Sequence, residues 1–109
     1  MKKGVLDILN VLGNDSGGSG YRIFYRTAAS DTFTITVVGK VETELYQQVV
    51  VVRYYDTINT GYIDRGLWAV PNEETIWDFN SIRVGSEIRI WVPDVSLVKE
   101  LYYNGERLL

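Results

Sequence analysis

Val49, Val50, Val51 and Val52 constrain this chain more than any other stretch. Consecutive β-branched residues are stiff at χ1 and crowd a helix, so they favour extended backbone. Side chains alternate across a strand, and an unbroken apolar run therefore needs cover on both faces. Residues 46–55 read as the strongest strand of the chain. With a free edge such a segment is an aggregation hazard. It is expected to pair on at least one side with a strand at 32–38, and to be shielded by helices or by a neighbour.

Two further strands precede it. Tyr21, Ile23 and Tyr25 alternate with Arg22, Phe24 and Arg26, and Phe33, Ile35 and Val37 alternate with Thr32, Thr34 and Thr36. Strict alternation of this kind marks half-buried strands. Residues 28–31 turn the chain between them.

Nearer the start the period changes. Val5, Ile8, Leu9 and Leu12 fall at i, i+3, i+4 and i+7, a helical stripe. Residues 1–13 therefore read as an apolar helical arm and 14–20, rich in glycine and serine, as a flexible linker. An isolated helix of that length is unstable in water and must find a surface in cis or in trans. Asp7 and Asn10 interrupt the apolar stretch and no small-residue cleavage site follows, so the segment reads as an intact N-terminus and not a signal peptide. Residues 21–109 are expected to form a single domain.

Composition narrows the chemistry. The 109 residues are 46% hydrophobic and 23% charged, enough for one domain with a real core. Net charge is −3 with no basic cluster, which argues against a nucleic-acid partner. Histidine and cysteine are both absent. That removes Ser-His and Cys-His nucleophile pairs, disulfides and the commonest zinc ligands. No apolar run approaches the ~20 residues of a membrane-spanning helix. The adjacent Glu73 and Glu74 would point apart on one helix turn and do not make a glycosidase pair. Asp56, Asp64 and Asp78 lack metal-loop spacing. No catalytic residue, cofactor or metal ligand is expected, and the chain is read as not an enzyme.

The second half reads as mixed. Tyr62, Ile63, Leu67, Trp68 and Val70 have roughly helical spacing, broken by Gly61, Gly66 and Pro71. Asn72 reads as the N-cap of a helix reaching about Phe79, with Glu73 and Glu74 at the positive end of its dipole. Val84, Gly85 and Ser86 turn the chain. A strand follows at 87–92, with Ile88, Ile90 and Val92 on one face and Arg89 and Trp91 on the other. Pro93 ends it. Asp94 then caps a C-terminal helix over 95–103, striped by Val95, Val98, Leu101 and Tyr102, and Asn104-Gly105 stops it.

That order of elements, with Ile76, Trp77, Phe79, Asn80, Ile82, Val84, Gly85, Ile88, Ile90 and Pro93, resembles the second half of a LysM-type fold, the small βααβ module. Leu67, Trp68, Ala69 and Val70, then Trp77, Asp78 and Phe79, and finally Ile88, Arg89, Ile90, Pro93 and Asp94 are similar to the LysM-like wedge proteins of contractile phage baseplates and related injection systems. The resemblance implies an α+β domain: β-strands over 21–55, a LysM-like βααβ part at about 49–93 and the C-terminal helix. It also implies a structural clamp in a phage tail or baseplate, located in the virion after assembly in the host cytoplasm. Several symmetric copies would join other virion proteins, without a nucleic-acid partner or a membrane span. The expected partner-binding residues are Leu6, Leu9 and Leu12 of the arm together with Trp68 and Trp91, since large aromatic side chains are enriched at interfaces. The alternative is a LysM module binding peptidoglycan or chitooligosaccharide. In such modules the loop after the first strand carries Gly-Asp-Thr-Leu, and here Tyr55, Asp56, Thr57 and Ile58 stand at those positions. Asp56, Thr57 and Trp68 would then hold the glycan. Trp77 is expected in the core.

Overall fold

The computed structural model describes residues 20–109, and the fold is a β-sandwich. Its strands are β1 (Arg22–Thr27), β2 (Phe33–Gly39), β3 (Gln48–Asp56), β4 (Gly61–Trp68), β5 (Glu74–Phe79), β6 (Glu87–Val92), β7 (Val98–Tyr103) and the two-residue β8 (Glu106–Arg107). They form two four-stranded sheets, β1-β6-β3-β4 in front and β5-β2-β7-β8 behind. Every strand pairing is antiparallel. The only helical element among the described residues is a single 3₁₀ turn, Val95–Leu97.

The α+β expectation is therefore wrong, and the LysM-like βααβ part at 49–93 does not exist in this fold. The expected helix after Asn72 is β5. Pro71 and Asn72 are the central residues of a tight turn closed by Glu73 N–H donating to the Val70 carbonyl at 3.2 Å. Asn72 has φ 60°, the left-handed value that the third position of a type II turn demands. It is a turn residue and not a helix cap. Beyond it Thr75, Trp77 and Phe79 sit opposite Val37, Ile35 and Phe33 of β2. Ile76 points to the other face and is 60% exposed.

A similar correction applies to 95–103. Asp94 does cap, accepting from Ser96 N–H at 3.0 Å, but what it caps is the one-turn 3₁₀ segment. Strand β7 follows. Its register against β2 jumps, with Val38 opposite Glu100 and Gly39 opposite Val98, so Lys99 is an extra residue in a β-bulge. The bulge puts Val98 and Leu101 both in the core at a spacing of three, which imitates a helix in the sequence. Asn104 and Gly105, both at positive φ, form the tight turn into β8.

The valine run is covered on both faces, with Val49, Val50, Val51 and Val52 all buried. Its partners differ from expectation. Strand β3 lies between β4 and β6, while β2 belongs to the opposite sheet. Among the described residues no helix shields it. A register shift between Gln48 and Val50 leaves Val49 as the extra residue, and Val49, Val50 and Val52 all join the core cluster. Val51 faces outward beside Trp91, its neighbour on β6.

The core is filled from both sheets, by Ile88, Ile90, Val92 and Leu67 in front and Ile35, Val37 and Leu101 behind. At one end four rings knit the layers together. Phe33 and Phe79 are stacked at 4.5 Å between centroids, and Tyr54 of the front sheet meets each edge-on at 6.1 and 5.2 Å. Tyr103 closes the group against Phe33 at 5.7 Å. Offset and edge-to-face pairs of this kind each add about 0.5–1.5 kcal/mol beyond their buried area.

Candidate interaction surface

Strands β4 and β5 are the outer strands of their sheets and lie on the same side of the sandwich. Arg65 of β4 closes the gap between them. Its guanidinium lies 5.2 Å from the Trp77 ring centroid and 4.8 Å from that of Phe79, and Nη1 donates to the Asp78 carbonyl at 3.4 Å. Trp68 meets Trp77 edge-on at 4.9 Å, and Tyr46 meets Trp68 in the same way, also at 4.9 Å. A continuous ridge results, from Phe79 in the core through Trp77 and Trp68 to Tyr46 in solvent.

The outer end of the ridge is built on an apolar loop. Val41, Leu45 and Tyr46 of this loop are 69%, 60% and 61% exposed, apolar side chains that burial would stabilise. The loop is nonetheless anchored. Lys40 N–H and Thr43 Oγ1 both donate to the Leu97 carbonyl, at 3.0 and 2.5 Å, and Ala69 N–H donates to the Gln47 carbonyl at 3.2 Å. Gln47 N–H donates to the Glu44 carbonyl at 3.0 Å, closing a turn with Leu45 and Tyr46 at its tip. Tyr46 has φ 64°, in the region that turns normally give to glycine or asparagine. A tyrosine there costs the fold free energy that glycine would not. The residue is thus poorly suited to its backbone and well suited to presenting a ring.

The sequence-predicted site residues separate. Trp68 belongs to the ridge. Trp91 does not, because it is only 1% exposed. It lies on the outward face of the front sheet between Ile23 and Val51, with the Arg53 guanidinium 5.3 Å from its ring centroid. Its role as a partner contact is corrected to that of a packing base for Arg53. Trp77 lies on the inward face of β5 and is partly buried, in a strand and not the expected helix. Leu6, Leu9 and Leu12, with the rest of the arm at 1–13 and linker residues 14–19, lie outside the described residues.

The alternative glycan residues are not brought together. Asp56 ends β3 and is committed to the hairpin turn, its carboxylate accepting from Ile58 N–H at 3.0 Å and Asn59 Nδ2 at 2.6 Å. Thr57 is tied to the Ser81 carbonyl, by its amide at 2.8 Å and its hydroxyl at 3.0 Å. Trp68 sits at the far end of β4 from Gly61, which is opposite Asp56. Seven residue steps of extended strand separate the two by about 23 Å.

Sequence reasoning missed Val41, Leu45 and Tyr46. Residues 41–45 alternate apolar and acidic, which fits a strand as well as a loop, and nothing in a one-dimensional pattern marks Tyr46 as left-handed. Compared with protein-family models, curated proteins and solved structures, the chain shows no match to any of them. Among the described residues no helix is long and apolar enough to cross a membrane, and no group of acidic side chains is arranged to hold a metal ion.

Proposed function

We propose that this chain is a structural binding module that docks another protein in a larger assembly, through the ridge formed by Val41, Leu45, Tyr46 and Trp68. A phage tail or baseplate is one such assembly. The observation that carries the reading is Tyr46, an exposed aromatic ring held at a backbone position that favours glycine. Aromatic side chains with apolar neighbours are the usual anchors of protein interfaces. The anchored loop supports the reading further, since a preordered surface loses less entropy on binding. The clamp role tied to a βααβ module is set aside with that fold. Glycan binding through Asp56, Thr57 and Trp68 is set aside because the three do not share a site.

The test is co-sedimentation with the native particle or complex, comparing the wild-type chain with Leu45→Asp and Tyr46→Asn. Both side chains are exposed, so both variants are expected to keep the sandwich and to be lost from the assembly, because a charge or amide at the contact must be desolvated without a partner. Wild-type incorporation of folded Leu45→Asp would exclude the ridge as the docking surface.

A further inference from the structure

On the outward face of the front sheet, Arg53 of β3 and Arg89 of β6 are directly opposite each other in the ladder. Their Cα atoms are about 4.5–5.5 Å apart, as for any antiparallel pair. Like charges so placed are destabilising. The sheet offsets this with one carboxylate for each arginine. Asp64 on the neighbouring β4 accepts from Arg53 Nε at 2.8 Å and from Nη2 at 3.0 Å. Glu87, two residues before Arg89 on the same strand, accepts from its Nε at 2.7 Å. Each guanidinium also rests near an aromatic ring, Arg53 at 5.3 Å from the Trp91 centroid and Arg89 at 5.7 Å from that of Tyr25.

Both arginines are thus braced from below and from one side. Among the described residues, neither Arg53 Nη1 nor either Nη of Arg89 donates a hydrogen bond to the protein. Arg53, Arg89, Glu87 and Tyr62 line an open pocket of about 190 Å³. That is smaller than the ~300–1,000 Å³ of sites for whole small molecules, and it suits a single side chain. A planar guanidinium with unused N–H groups matches a carboxylate in geometry as well as charge.

We propose that this pocket is a subsite for a peptide carboxylate, an Asp or Glu side chain or a chain terminus, held by the outer nitrogens of Arg53 and Arg89 with Tyr62 as its wall. The site lies on a different surface from the ridge and stands whether or not the ridge docks a partner.

The experiment is a titration of the full chain, labelled with ¹⁵N-arginine and followed through the Nε–Hε resonances. The probes are N-acetyl-glutamate methylamide, its neutral glutamine counterpart and glucuronate. The glutamate probe is expected to shift Arg53 and Arg89 saturably, and the glutamine probe to bind at least about tenfold more weakly. Arg89→Gln is expected to lose about tenfold in affinity with an unchanged melting temperature, and Arg89→Lys to fall between the two, keeping the charge without the fork. Arg53→Gln strips the half-buried Asp64 of a two-point partner, whereas Arg89→Gln costs the more exposed Glu87 a single contact, so the Arg89 pair decides. Equal shifts by glutamate and glutamine, or no saturable shift by glutamate, would overturn the proposal. Tighter binding of glucuronate than of the glutamate probe would overturn its assignment to a peptide.

Discussion

Arg26 of β1 and Glu106 of β8 meet across the open side of the sandwich, Nη2 to Oε2 at 2.7 Å and Nε to Oε1 at 3.1 Å. They stand 80 residues apart in sequence, on strands of different sheets. The contact is a two-point fork between the outermost strands, opposite the side closed by Arg65. The Arg26 guanidinium holds the Glu106 carboxyl below its ordinary value of 4.5. A depressed folded value means that the contribution is present above that ordinary value and is lost as pH falls through the folded one. Thermal melts between pH 7 and pH 2 are expected to show an acid loss that is smaller in Glu106→Gln. Because the pair is exposed, high salt should shrink the difference.

At the alkaline end the buried phenols act with the opposite sign. Burial pushes the hydroxyls of Tyr54 and Tyr103 up from their ordinary value of 10.0. A raised folded value leaves stability intact below the unfolded value and removes it as pH rises through the folded one. Melting temperature is expected to hold to about pH 9.5 and then decline above about pH 10. The double variant Tyr54→Phe, Tyr103→Phe should decline less steeply in the same melts.

The strand character of β5 has a direct mutational signature. Phe79 is buried against Phe33 and Tyr54, and Phe79→Ala is expected to cost about 3–5 kcal/mol in a denaturant melt. Ile76 faces solvent, and Ile76→Thr should change stability by no more than about 0.5 kcal/mol. An amphipathic helix carrying Ile76 on its apolar face would instead show a large loss at both positions.

Two glycines should respond differently to alanine. A Cβ on Gly39 would lie 2.9 Å from the Val70 carbonyl oxygen, a backbone atom fixed by its bond to the Gly39 amide. Gly39→Ala is expected to cost about 1–3 kcal/mol, as other overpacked substitutions do. At Gly66 the obstacle is the amide end of Gln48, which can swing into solvent. Gly66→Ala should therefore cost less than Gly39→Ala in paired melts.

Strands β1, β2, β3 and β6 were legible because they alternate or run continuously apolar. The strands at 21–26 and 32–37, the valine run, the Val84-Gly85-Ser86 turn and the faces of 87–92 match the structure, but in β1 it is Phe24 that packs on the core, while Tyr25 on the other row is 49% exposed. The missed strands share a physical cause. Strand β5 shows only Thr75, Trp77 and Phe79 to the core, too short a record to separate a period of two from one of 3.6. In β4 the inward row includes Arg65, whose charge is hidden over aromatic rings, so the apolar alternation is broken. In β7 the bulge at Lys99 reproduces helical spacing. For the candidate surface, Trp68 was legible as a surface aromatic and is half-buried there, but Trp91 was not legible as buried. Its cover comes from Val51 and Arg53 on a strand whose place beside β6 depends on topology.

On the proposed reading, Tyr46 links stability to docking. Replacing it with glycine removes a left-handed tyrosine and is expected to leave stability unchanged or raise it by up to about 1 kcal/mol. The same change removes the outer ring of the ridge and is expected to weaken docking. Equilibrium unfolding and co-sedimentation on this one variant should therefore move in different directions.

Docking through the ridge is tested most directly by a photo-crosslinking amino acid placed at Leu45 in the full chain, irradiated in the cells that make it. The expected result is one discrete adduct with a protein, lost when Tyr46→Asn is added to the folded chain, and no perturbation of Trp68 fluorescence by oligosaccharides. No protein adduct from Leu45, together with saturable quenching of Trp68 by an oligosaccharide, would contradict protein docking at this surface.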